Sequence, residues 1–180
     1  MIEFKEFPKI HRLNREIIIT EKIDGTNAQI FIGEDGSFLT GSRSQWITPE
    51  QDNHGFARWA NEHKEDLMTL GPGSHYGEWW GLGIQRNYGL KEKRFSLFNV
   101  FRWTDDVRPA CCGIVPTLYT GLFKESAILA ALTLLRMQGS IASPGFMKPE
   151  GIVIYHTQGR FSLKVTLEKD DEPKSIAGKP

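Results

Sequence analysis

Cysteine is nearly missing from this chain: Cys111 and Cys112 are the only two, and they are adjacent. Neighbouring cysteines seldom reach the geometry of a relaxed disulfide, and two thiols fall short of a metal cage. They read as ordinary reduced thiols. His11, His54, His63, His75 and His156 are scattered without ligand spacing, which argues against zinc. No apolar stretch approaches the ~18 residues of a membrane span. The N-terminal segment MIEFKEFPKIHRL has neither the apolar centre nor the small-residue cleavage site of a signal peptide, so the chain reads as cytoplasmic. Net charge is also missing, with 22 basic residues against 22 acidic ones. Proteins that grip long nucleic acid by electrostatics alone are basic throughout. This chain must instead bind a small anion or carry a local basic patch. Repeats, low-complexity tracts and interdomain linkers are absent as well.

The 180 residues, 39% of them hydrophobic, suffice for one domain with a proper core. Strands are expected at Glu16–Thr20, Asn27–Ile32 and Ser37–Thr40, with Gly33-Glu34-Asp35-Gly36 as a turn. Phe56, Trp59, Ala60, His63 and Leu67 share one face of a helix predicted over Asn53–Leu70, which Gly71-Pro72-Gly73 ends. Further strands are expected at His75–Trp80, Phe95–Trp103 and Ile114–Tyr119, then a helix at Lys124–Met137. Two last strands, Gly151–Tyr155 and Arg160–Leu167, flank a polar turn, and the charged tail after Glu168 should fray. Strand-rich with two covering helices, the pattern implies an α+β domain of mainly antiparallel sheets.

The segment Glu21-Lys22-Ile23-Asp24-Gly25-Thr26-Asn27 sits where one strand ends and the next begins. A lysine before an Asp-Gly turn means little alone, because Asp-Gly is a common hairpin turn. Its weight comes from further motifs downstream, in order along the chain. Lys22-Ile23-Asp24-Gly25 resembles the K-x-D-G motif of the covalent nucleotidyltransferases, the superfamily of RNA ligases, DNA ligases and capping enzymes. Its extension to Thr26-Asn27 is similar to the RNA ligase 2-like branch. Gly41-Ser42-Arg43-Ser44 resembles the next, basic motif, and His75-Tyr76-Gly77-Glu78-Trp79-Trp80-Gly81 the third. Phe95 to Phe101, centred on Phe98, resembles the aromatic motif, and Glu150-Gly151-Ile152-Val153 the fourth. Leu163-Lys164-Val165-Thr166 resembles the fifth, K-x-K, with Thr166 in place of the second lysine.

This resemblance implies an ATP-grasp-like nucleotidyltransferase domain with its nucleotide pocket between sheets. It makes Lys22, Asp24 and Lys164 catalytic candidates, with Glu21, Lys22, Gly25, Asn27, Arg43, Glu78, Phe98, Glu150 and Lys164 binding the nucleotide. Asp24 and Glu150 are the candidates for Mg²⁺ or Mn²⁺, hard-oxygen groups suited to such an ion through its waters. Arg43 and Glu78 would meet the ribose hydroxyls, and Phe98 would stack on adenine. The implied activity is an ATP-dependent RNA ligase, with RNA repair as its setting, in which Lys22 carries AMP covalently before it passes to a 5′-phosphate end and a 3′-hydroxyl displaces it. Residues 1–180 read as one adenylyltransferase domain without an additional C-terminal domain, whose hold on RNA would fall to a partner protein.

Without the resemblance, these residues have plainer roles. Phe98 is core, Glu78 a strand carboxylate, Arg43 a solvated turn residue, Lys164 an edge-strand lysine and Glu150 a strand opener. A basic cluster at Gln85-Arg86-Asn87 and Lys91–Arg94 is either solvated surface or a nucleic-acid contact. The alternative functions are a minimal DNA ligase, an RNA-end adenylyltransferase that does not seal efficiently, or a non-catalytic nucleotide- or RNA-binding module.

Overall fold

Strand β1 (Glu16–Lys22) divides its side chains between two environments. Ile17 and Ile19 enter a core beneath a helix, whereas Ile18, Thr20 and Lys22 face a cleft. The computed structural model describes residues 2–168 and 170. With β8 (Thr117–Leu122), β9 (Gly151–His156) and β10 (Phe161–Thr166), β1 forms an antiparallel four-stranded sheet in the order β10-β9-β1-β8. Helix α3 (Glu125–Gln138) covers the Ile17 face. Its Ala127 and Ala131, with short side chains, let Leu132 and Leu135 settle against Ile17, Ile19, Ile152 and Ile154.

The second sheet takes β2 (Thr26–Ile32), β3 (Phe38–Gly41), β4 (Trp46–Ile47), β5 (Gly73–Gly81), β6 (Lys93–Leu97) and β7 (Cys112–Ile114). Their order is β4-β3-β2-β5-β6-β7, and only β6 and β7 run parallel. Two short helices, α1 (Phe56–Glu62) and α2 (Lys64–Met68), bury Phe56, Ala57, Ala60 and Leu67 against Ala28, Ile30, Trp79 and Phe95. Phe56 lies 5.1 Å from Phe95 and 5.5 Å from Trp79, ring to ring. The turn at residues 23–25 carries the chain from the first sheet to the second. Ile23, Trp80, Tyr88 and Val115 make a third, smaller core between them.

The fold is thus α+β with mainly antiparallel sheets, as the sequence pattern implies, and besides the short unexpected β4 it departs from the expected bounds in three places. The single helix expected over Asn53–Leu70 is two helices, starting only at Phe56 and breaking at His63, whose backbone (φ −106°, ψ 19°) leaves the helical region. Asp52 supplies the start, its carboxylate accepting from the N–H groups of Ala57 and Arg58 at 2.7 and 3.0 Å. The strand expected over Phe95–Trp103 stops at Leu97, because the Asn99 side chain accepts from the N–H groups of Phe101 and Arg102 and turns the chain. The strand expected over Ile114–Tyr119 is the end of one sheet and the start of the other. Pro116, which has no N–H to donate, marks the crossing. The tail expected to fray lies outside the described residues apart from Asp170. Among the described residues, no helix is long and apolar enough to cross a membrane.

Candidate active site

A cleft of about 1050 Å³ opens between the two sheets. One wall presents Lys22 from β1 and Lys164 from β10. The other presents Asn27 from β2, Glu78 from β5, Arg43 from the turn after β3 and Phe98 from the turn after β6. Asp24 and Gly25 line it at the sheet-to-sheet turn.

Lys22 Nζ donates to Glu150 Oε2 at 2.6 Å, and Glu150 is 3% exposed. Strand register explains the pairing: Lys22 sits opposite Gly151, so the carboxylate just before β9 reaches it. Gly25 has no room for a side chain, since a Cβ there would lie 2.4 Å from the Trp79 carbonyl oxygen. This close approach lets the Gly25 N–H donate to Glu78 Oε1 at 2.9 Å. Burial pushes the Glu78 carboxyl up to about 7, against the Gly25 N–H and Lys22, which lower it; Glu150 and Asp24 raise it further. Phe98 is 39% exposed with its ring on the cleft, not in the core where alternation alone would put it. Arg43 and Lys164 make no ion pair with any described residue, so two cations face the cavity from opposite walls.

Three of the sequence expectations gain structural detail. Glu21 is among the residues that line the cleft, but its carboxylate is turned away from it. One residue from Lys22 in a strand, it points to the other side and accepts from Ser140 Oγ at 2.5 Å and from the Ile141 and Ala142 N–H groups at 2.8 Å. Burial raises its pKa, opposed by those three bonds. The basic cluster is not a free patch: Arg86 pairs with Asp24 at 2.9 Å, Arg94 pairs with Glu92 at 2.7 Å, and Lys93 donates to the His54 carbonyl. Thr166, at the second lysine position of K-x-K, shares its one hydroxyl proton between Glu168 O and Asp170 Oδ1, and being uncharged it brings the cleft no second cation.

The RNA ligase family profile matches residues 15–166. The chain belongs to the RNA ligase family. Among solved structures it is similar to a Naegleria gruberi RNA ligase variant with ATP and Mn, at 22% identity and a TM-score of 0.62, covering 89% of this chain and 52% of that one. An apo variant of the same ligase matches at 23% identity and a TM-score of 0.60, over 85% of this chain and 50% of that one. A variant with AMP and Mn matches at 21% and 0.59, over 89% and 53%. The chain therefore spans about half the length of these ligases, and shares their nucleotidyltransferase fold. No curated protein matches it.

Within this RNA ligase family member, the sequence reading missed two partners of Asp24. Arg86 meets its carboxylate, and the Tyr88 hydroxyl accepts its N–H at 2.8 Å. Both come from more than sixty positions away, and no local pattern signals such contacts. A divalent ion can be tested against the donors present. Among the described residues no three His, Cys, Asp or Glu side chains form a ligand cluster. Asp24 and Glu150 are hard-oxygen donors already paired with Arg86 and Lys22. They fit an ion that keeps most of its water and rests chiefly on phosphate oxygens, not one caged by protein.

Proposed function

We propose that the protein is an ATP-dependent RNA ligase that works through a lysyl-AMP intermediate on Lys22. The observation that carries this reading is a lysine amine held at a buried carboxylate, in a cleft whose walls also supply Arg43, Glu78, Phe98 and Lys164. Lysine attacks only as the neutral amine, so a proton first passes from Lys22 Nζ to the Glu150 carboxylate that holds it. Nitrogen then bonds to the α-phosphorus of ATP as the bond to the β-phosphate oxygen breaks, releasing pyrophosphate. Lys164 and Arg43 offset negative charge on the phosphates, while Glu78 accepts from the ribose and Phe98 stacks on the base. Mg²⁺ or Mn²⁺, held through water by Asp24 and Glu150, would supply further charge neutralisation when bound. In the second step an oxygen of an RNA 5′-phosphate displaces Lys22 from the AMP. In the third, a 3′-hydroxyl attacks that 5′-phosphate and AMP leaves.

Incubation with α-labelled ATP and Mg²⁺ or Mn²⁺, followed by denaturation, should leave label on the protein, and Lys22→Ala should abolish it. An unlabelled parent, or a Lys22→Ala variant labelled as strongly, overturns the reading. Thr166 favours a second outcome downstream. With no second cation on β10, the protein would adenylate RNA ends faster than it seals them. Sealing assays on nicked RNA, nicked DNA and single strands separate these activities, and accumulation of adenylated ends marks the second.

A further inference from the structure

Between β5 and β6 the backbone is left-handed at three residues that are not glycine: Gln85 (φ 43°), Asn87 (φ 59°) and Tyr88 (φ 50°). Such conformations are strained for L side chains and persist where the surroundings over-determine them. Here two side chains of the loop hold Asp24 of the sheet-to-sheet turn. The Tyr88 hydroxyl accepts the Asp24 N–H at 2.8 Å, and Arg86 Nε donates to Asp24 Oδ2 at 2.9 Å. Tyr88 itself is 1% exposed, wedged 5.0 Å from Trp80 and 4.7 Å from Phe146, with its carbonyl accepting from Ser143 Oγ.

The same Arg86 guanidinium reaches a second segment: its Nη1 donates to the Lys148 carbonyl at 3.1 Å. Lys148 lies two residues before Glu150, and Asp24 two residues after Lys22. Because Lys22 and Glu150 are joined at 2.6 Å, Lys22, Asp24, Arg86, Lys148 and Glu150 close a circuit. Two chain segments are tied at one end by the ion pair and at the other by Arg86.

We propose that Arg86 is a positioning residue for adenylation, which holds the Asp24 and Glu150 segments at the spacing that presents Lys22 to the nucleotide. This rests on Lys22 being the nucleophile. The planar guanidinium suits the task because its donors point to two partners at once, which an ammonium on a flexible stem does not reproduce. The pairing also has an electrostatic consequence. With its charge met by Arg86, Asp24 neither competes with Glu150 for Lys22 nor repels an incoming polyphosphate.

The test compares the parent with Arg86→Gln, Arg86→Lys, Asp24→Asn and the double variant Arg86→Gln/Asp24→Asn, each in the full chain. In single-turnover labelling, Arg86→Gln should lower the maximal rate about 10- to 100-fold, the scale expected of slight misplacement. The KM for ATP should move less than the rate, and Arg86→Lys should restore only part of it. Because Arg86 acts through Asp24, adding Arg86→Gln to Asp24→Asn should cost no more than about a further twofold. Losses that multiply in the double variant, or an Arg86→Gln rate equal to the parent's, overturn the proposal. Amide exchange gives a readout independent of chemistry: Arg86→Gln should speed exchange at Asp24 and Gly25 at least about tenfold, with amides of β2 and β5 unchanged. Unchanged exchange at Asp24, or equal acceleration across both sheets, overturns it too. If the parent takes up no label, the nucleophile reading falls, and exchange still decides whether Arg86 holds the turn.

Discussion

Glu78 has an ordinary carboxyl value of 4.5 in the unfolded chain and one near 7 in the folded protein, chiefly through burial. Between those values the folded state keeps a proton that the unfolded state has released. The stability this contributes is complete below the unfolded value and is lost as pH rises through about 7. Glu78→Gln keeps an acceptor for the Gly25 N–H but cannot ionise. Its unfolding free energy should therefore fall less steeply between about pH 5 and 7, with a difference of about 2 kcal/mol across the interval. Urea unfolding of both proteins at several pH values measures this, and parallel curves would remove the raised value. Little of it is legible in the residue itself. A glutamate beside two tryptophans reads equally as a ribose contact and as a strand carboxylate. Its raised value comes from burial between the paired strands, which the Gly25 N–H opposes, and the sequence alone shows neither.

Strand alternation sends the side chains of Glu21 and Lys22 to opposite faces of β1. The carboxylate next to Lys22 is therefore turned toward the loop after α3. Glu21→Ala would leave the Ser140 hydroxyl and the Ile141 and Ala142 N–H groups without their acceptor in a buried site. At roughly 1–3 kcal/mol for each unmet donor, partly relieved by relaxation, the expected loss is about 2–5 kcal/mol by urea unfolding. Labelling of Lys22 below the melting temperature should survive; lost labelling with unchanged stability would return this carboxylate to the nucleotide site. The strands themselves were readable wherever β-branched residues or alternation dominate, as in β1, β2, β5 and β9. The errors fall where a single side chain overrides a pattern. Asn99 ends β6 by capping the next two N–H groups, and Pro116 hands the chain between sheets. At His63 the apolar stripe continues across a broken backbone, so periodicity could not expose the break.

The meeting of the two sheets is the level at which residue order stops being informative. Lys22 and Glu150 are 128 positions apart, and Arg86 and Asp24 62 apart, so neither pair can be read from spacing. Only the family resemblance brought the cleft residues together in advance, and it named neither Arg86 nor Tyr88. The walls of the cleft are joined covalently at the turn of residues 23–25 and packed through Ile23, Trp80, Tyr88 and Val115. A nucleotide touching Lys22 and Lys164 on one wall and Phe98 and Arg43 on the other would tie the sheets together, so binding and global stability should be linked. An ATP analogue that cannot be cleaved between its α- and β-phosphates keeps this effect free of covalent transfer. At a hundred times its dissociation constant it should add about 2.7 kcal/mol. For a protein of this size that amounts to a rise of roughly 5–10 °C in melting temperature. Phe98→Ala removes the aromatic face from one wall without touching the sheet core. At the same analogue concentration its shift should be less than half the parent's. Equal shifts in the two proteins would take the base away from Phe98, and no shift in the parent at millimolar analogue would mean that the cleft does not hold a nucleotide.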